Sequence, residues 1–187
     1  MSPAELEKCA EKVLARVPDW IWDGEELPVP VEDIADSCFG LLVREVEDMS
    51  AAPGAPELAP GQSISGLLLA GPGEIWVNAA EAREWPGRRR FTIGHELGHW
   101  CLHREPGQQR LFCRKSAVKE DQDAGAKEER PIEKEANIFA AALTMPTHLM
   151  REHYERLRHE PDCHARMCHL FNASKAAMGR RLHTAID

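Results

Sequence analysis

The sequence predicts an α+β fold in which a small antiparallel β-sheet is followed by helices, and three observations predict it. Residues 41–46, which alternate, and short apolar runs at 64–70 and 74–78 read as strands. The last two flank Gly71-Pro72-Gly73, a hairpin signature. Apolar residues at helical spacing dominate the rest of the chain, chiefly its second half. Strands grouped together and then helices, without βαβ alternation, indicate α+β architecture.

The elements follow in order. Ser2 can cap a first helix, with Pro3 at its first position, Glu5 in its first turn, and Leu6, Cys9, Ala10, Val13, Leu14 and Val17 on one face. Pro18 ends it. Residues 19–30 carry Trp20 and Trp22 among acids and prolines, and read as a loop over the body. A short helix over 31–37 stops near Gly40. Residues 48–61, rich in Pro, Ala and Gly, predict a mobile surface loop. The spacing predicts a helix over 88–103. Residues 104–130 then turn polar and lose periodicity, which predicts a flexible insertion beside the active cleft; a substrate-gating lid is the sharper alternative to a solvated loop. Pro131 opens a helix that Pro146 closes. Helices over 147–157, 161–170 and 174–184 complete the chain.

The predicted helix at 88–103 contains His95-Glu96-Leu97-Gly98-His99. Positions i and i+4 of a helix share a face, so both imidazoles can meet one cation. Zinc accepts neutral imidazole at about 2.0–2.1 Å. Glu96 lies beside that face, where it can act as general base on a water without being a ligand. Gly94 and Gly98 each weaken an exposed helix by about 1 kcal/mol relative to alanine, so they point to close approach by another backbone.

A catalytic zinc needs a third protein ligand and an open position. The helix after Pro131 offers Glu133 and Glu135. One and two turns from Glu133 lie Ala136, Asn137, Ala140 and Ala141, a small face suited to Gly94 and Gly98. Glu135 shares its face with Ile138, Phe139, Ala142 and Leu143, which looks like core. Glu133 is therefore the ligand chosen. Asn137, one turn on, is placed to hydrogen-bond a ligand. For a further donor to the oxyanion, His103, His148, His153 and Tyr154 all remain open.

The run Arg90-Phe91-Thr92-Ile93-Gly94-His95-Glu96-Leu97-Gly98-His99, with Glu133-Lys134-Glu135-Ala136-Asn137-Ile138-Phe139-Ala140-Ala141 and Met145-Pro146, resembles the ImmA/IrrE family of metallo-endopeptidases. The resemblance covers roughly residues 64–150. It implies a gluzincin-type zincin-like helical core, with His95, His99 and Glu133 as metal ligands and Glu96 as catalytic base. It implies Zn2+ as cofactor, with Mn2+ as the alternative. The implied function is cleavage of a helix-turn-helix repressor of the XRE type, which relieves repression in a prophage, mobile element or stress regulon. Thr144 departs from the leucine usual before Met-Pro, and the insertion at 104–130 is long. The chain has no convincing N-terminal helix-turn-helix, so the repressor is expected as a separate protein. The expected division is a metallopeptidase domain over 1–155 and a C-terminal helical pair, helix-turn-helix-like, over 156–187.

Composition narrows the alternatives. A hydrophobic content of 43% over 187 residues suits one domain with a core. The net charge of -8 argues against general nucleic-acid binding, so Lys175, Arg180 and Arg181 make a weak DNA footprint, and direct DNA binding is not expected. No apolar run approaches a membrane span, and no secretory h-region is seen near the start, so a cytoplasmic protein without membrane attachment is expected. The 6 cysteines lack any C-x-x-C pair and read as free thiols. Cys163-His164 and Cys168-His169 have the wrong spacing for a second metal site. Arg88-Arg89-Arg90 reads as an anchor for the metal helix through pairing with acids. The competing readings are a non-catalytic module that binds the repressor or DNA, and a toxin–antitoxin component.

Overall fold

A computed structural model describes residues 1–58, 62–104, 111–117 (backbone only) and 130–186. In chain order the elements are α1 (Pro3–Leu14), α2 (Val31–Phe39), β1 (Leu42–Val46), a 3₁₀ turn (Met49–Ala51), β2 (Gln62–Leu69), β3 (Glu74–Asn78), α3 (Ala79–Glu84), α4 (Pro86–Leu102), β4 (Leu111–Ala117), α5 (Pro131–Thr144), α6 (Thr147–Leu157), α7 (Cys163–Leu170) and α8 (Lys175–Ile186). The α+β class holds. Ser2 caps α1 as a capping box: its hydroxyl accepts from the Glu5 amide, and its own amide donates to the Glu5 carboxylate.

The sheet has strand order β1-β3-β2-β4 and is mixed, where a purely antiparallel sheet is expected from the sequence. The β2–β3 hairpin forms, but β1 lies on the far side of β3 and runs parallel to it, pairing Leu42 with Glu74 and Val46 with Asn78. The chain crosses from β1 over to β2 before the hairpin brings β3 back between them. β4, within the stretch expected as an irregular insertion, pairs antiparallel with β2 from Gln62↔Ala117 to Leu69↔Leu111. Pairing with an open edge makes this strand, which its residues do not signal locally. The flexibility and lid readings for the rest of 104–130 fall on 105–110 and 118–129, outside the described residues.

Apolar burial explains why residues 64–70 are almost continuously hydrophobic. Leu68 joins Ile75, Val77, Ile93, Leu97 and Phe139 in the main core. Ile64, Leu67 and Leu69 join Met49 and Ala52 in a second cluster. A strand covered on both faces needs apolar residues at every position. Strict alternation would put Ile64 and Leu67 on opposite faces. They share a cluster because the β2–β4 register shifts between Ile64 and Gly66, the mark of a β-bulge at Ser65. The expected surface loop at 48–61 therefore contains two buried residues, Met49 and Ala52; residues 59–61 lie outside the described ones.

The C-terminal helices share the main core: Met167, Phe171, Met178 and Ala185 are buried in the same cluster as Ala10 and Leu14 of α1. Arg181 is 3% exposed and is not part of a basic surface. Its Nε donates to the Met145 carbonyl at 2.9 Å, its Nη2 to Thr147 Oγ1 at 2.8 Å, and its Nη1 to Glu7 at 2.5 Å. It thus ties α8 to α1 and to the α5–α6 junction. Arg88 and Arg89 pair with acids, Arg88 with Glu81 and Arg89 with Glu32 and Glu45. Arg90 does not: among the described residues its buried Nε and Nη2 have no hydrogen-bond partner, and burial with the neighbouring Arg89 charge lowers its pKa to about 10.

Arg181→Met should destabilise the fold by about 3 kcal/mol, since it strips a buried ion pair of its cation and strands the Met145 carbonyl. Burial pushes the Glu7 carboxyl up, but hydrogen bonds from Arg181 and Thr147 with the Arg181 charge outweigh it and leave it lowered. A lowered carboxyl contributes stability above the ordinary carboxylate range and loses it as pH falls through its folded value. Urea unfolding at pH 7 and at a pH below the ordinary carboxylate range checks both points: the variant's deficit should shrink at the lower pH. A midpoint at pH 7 equal to wild type would refute the role given to Arg181.

Candidate metal centre

Helix α4 carries the centre. Thr92 through His99 are all buried, Ile93 and Leu97 completely, and burial of such side chains is worth about 1.5–3 kcal/mol each. The core thereby fixes the rotation of α4, and the histidine face turns toward α5. Gly98 makes the close approach possible. A Cβ there would lie 3.1 Å from Phe139 Cδ1 and 3.3 Å from the Ala136 Cα. The small face of α5 identified in the sequence, Ala136 and Ala140, packs against Gly98 and Gly94 respectively.

This packing brings three donor atoms together. His95 Nε2 lies 3.2 Å from Glu133 Oε2, His99 Nε2 lies 3.5 Å from the same oxygen, and the two Nε2 atoms are 3.1 Å apart. His95, His99 and Glu133 form the group of side chains, among the described residues, that could hold a metal ion. Burial pushes the Glu133 carboxyl up, but the His95 and His99 rings beside it outweigh that effect and hold the group well below the usual carboxylate range. Asn137 Oδ1 accepts from His95 Nδ1 at 2.9 Å, which puts the ring proton on Nδ1 and leaves Nε2 as a lone-pair donor.

Glu96 is 0% exposed and lies against β2. The contact depends on Gly66, where a Cβ would come within 2.7 Å of Glu96 Oε1 and 2.4 Å of Thr92 Cγ2. The absence of a side chain at residue 66 is what leaves room for the carboxylate. Gly66→Ala should therefore displace Glu96 and lower hydrolysis by about 10-fold or more, since roughly 1 Å of misplacement can cost 10²-fold. Metal content should stay at the wild-type level. Unchanged kcat in Gly66→Ala would show that the strand does not position Glu96.

Other residues are placed differently from expectation. Glu135 does not enter the core; it accepts a hydrogen bond from His103 Nε2 at 2.9 Å and pairs with the Met1 amino group. The core face runs on from it at Phe139, Ala142 and Leu143. Of the four residues considered as oxyanion donors, His103 instead sets its Nδ1 3.0 Å from His99 Nδ1. His148 Nε2 lies 3.4 Å from the Gly24 carbonyl, His153 stands over Phe171, and Tyr154 packs on the core. Gly66 was not visible as a site residue, because only its opposition to Glu96 marks it. Cys168 Sγ and His164 Nδ1 are 3.7 Å apart, with no third donor converging on them among the described residues. Cys9, Cys38, Cys101, Cys163 and Cys168 are free thiols.

No helix of the described residues is long and apolar enough to cross a membrane. A search of curated proteins found no match. A family model described as Peptidase_M78, IrrE N-terminal-like domain, matches residues 64–183, from the start of the apolar part of β2 into α8. That span includes His95, Glu96, His99 and Glu133, and it covers well over half of the chain. The chain belongs to the Peptidase_M78 family of IrrE N-terminal-like, metallopeptidase-like domains.

Proposed function

We propose that this protein is a zinc-dependent endopeptidase that cleaves a separately encoded helix-turn-helix repressor of the XRE type and so relieves repression. The observation that carries the catalytic part is the convergence of three donor atoms beside a buried glutamate that is not one of them. The donor set suits zinc. Ligands at about 2.0–2.1 Å in a tetrahedron stand about 3.3–3.4 Å from one another, and the separations here are 3.1, 3.2 and 3.5 Å. Two neutral imidazoles and one carboxylate leave a fourth position for water or substrate. Mn2+ is the alternative for the same donors.

His95, His99 and Glu133 would hold the ion, and Asn137 would keep the His95 ring in the required tautomer. A bound zinc supplies Lewis acidity, which acidifies water and polarises a peptide carbonyl. Glu96 accepts a proton from the attacking water at a carboxylate oxygen and delivers it to the leaving amine nitrogen. Its burial keeps bulk water from levelling that basicity, and Gly66 holds open the space it occupies. The repressor substrate and a cytoplasmic setting rest on the resemblance to ImmA/IrrE proteins, with which the family match agrees.

The test is to incubate the protein with the helix-turn-helix protein encoded beside it, with and without chelator. Cleavage that stops with chelator and returns on adding zinc is the expected result. Cleavage indifferent to chelator would overturn the metal mechanism. No cleavage of the neighbour, alongside chelator-sensitive cleavage of another protein, would overturn the substrate.

A further inference from the structure

We infer that His103 and Glu135 form a positioning relay that fixes the tautomer of the metal ligand His99 from two side chains away. The inference rests on the proposed metal site and goes beyond it. His99 is fully buried, and its Nδ1 lies 3.0 Å from His103 Nδ1, a contact between two imidazole nitrogens. Two neutral rings sharing such a contact have two solutions, with the proton on either nitrogen. One of them would place the His99 proton on Nε2, where it would block coordination.

Glu135 breaks the tie. Its Oε2 lies 2.9 Å from His103 Nε2 and, as a carboxylate, can only accept. In a neutral His103 the proton therefore sits on Nε2, and Nδ1 becomes an acceptor. His99 then donates from Nδ1, and its Nε2 lone pair is left for the cation it would share with Glu133 Oε2, 3.5 Å away. Every ring nitrogen in the chain His99–His103–Glu135 has its role set by one anionic end. The spacing makes the relay: His99 lies in the last turn of α4 and His103 caps its C-terminal end, while Glu135 sits one turn before Phe139 on α5, beside His103. The two ligand histidines are thus oriented by different means, His95 by an amide on α5 and His99 by a second imidazole backed by a carboxylate.

Zinc affinity of the full-length protein, measured by competition with a chromogenic chelator, tests this. His103→Ala and Glu135→Ala should bind zinc about 10–100-fold more weakly, the usual loss when a group behind a ligand is removed. Glu135→Gln, whose amide oxygen still accepts from His103, should recover most of that loss. Melting of the metal-free proteins serves as the control for folding and should change little. Alanine variants within about two-fold of wild type, or a Glu135→Gln variant as weak as Glu135→Ala, would overturn the relay. A wild-type protein that takes up no zinc would overturn the proposed metal site together with the relay, whereas wild-type affinity in every variant would overturn the relay alone.

Discussion

Glu96→Gln is expected to cut peptide hydrolysis by about 10²–10⁴-fold, the contribution of a positioned acid–base group, while zinc content stays at the wild-type level. Glutamine keeps the shape of the side chain, which matters because residue 96 is completely buried and touches the backbone space above Gly66. What it loses is the ability to take a proton and return it. No donor atom of residue 96 belongs to the group His95, His99 and Glu133, so metal binding should not follow activity down. Paired measurements of zinc by atomic absorption and of substrate cleavage decide the matter. Near-normal proteolysis would remove Glu96 from its role, and parallel loss of metal would recast it as a ligand or its support.

Glu133→Ala should have the largest effect on metal. It removes the one oxygen that lies 3.2 Å from His95 Nε2 and 3.5 Å from His99 Nε2. Two buried imidazoles remain without an anion, and the loss of affinity should exceed the ~10–100-fold expected for an outer partner such as Glu135. Activity should disappear with the metal. The comparison is instructive because the two glutamates are two residues apart on one helix, and their side chains diverge. If zinc analysis of the two alanine variants gave the reverse order, the ligand assignment would fall.

Much of the fold was legible in the sequence because its signals are local. Ser2 with Glu5, Pro131 and Pro146 mark helix ends through backbone chemistry that acts over three or four residues. The Gly71-Pro72-Gly73 hairpin is equally local. The parallel pairing of β1 with β3 was hidden, since strand direction within a sheet is decided by where the chain crosses over. β3 runs straight into α3, whose six residues owe their start to the Asn78 side chain accepting from the Glu81 amide; so short a helix shows no periodicity to detect.

The centre was legible to the same degree. The i, i+4 histidines declare themselves, and the small face below Glu133 separates it from Glu135. What the sequence could not show was the use made of Glu135. Its downstream neighbours Phe139 and Leu143 are core, yet Glu135 lies near the start of α5, beside His103. The same limit applies to Arg181. It reads as one cation of a basic turn beside Arg180, and only the packing of α8 onto α1 turns it inward.

The irregularity at Ser65 bears on how this strand can change length. Ser65 is the surplus position of β2, so a chain lacking it would still direct Ile64 toward Met49 and Gly66 toward Glu96. Loss of a residue elsewhere in the strand would swap the two sides and turn leucines into the space that Glu96 occupies. Relatives could therefore dispense with this single serine and keep both apolar layers. They would then be left with a straighter ribbon, and with a differently tilted floor beneath the carboxylate.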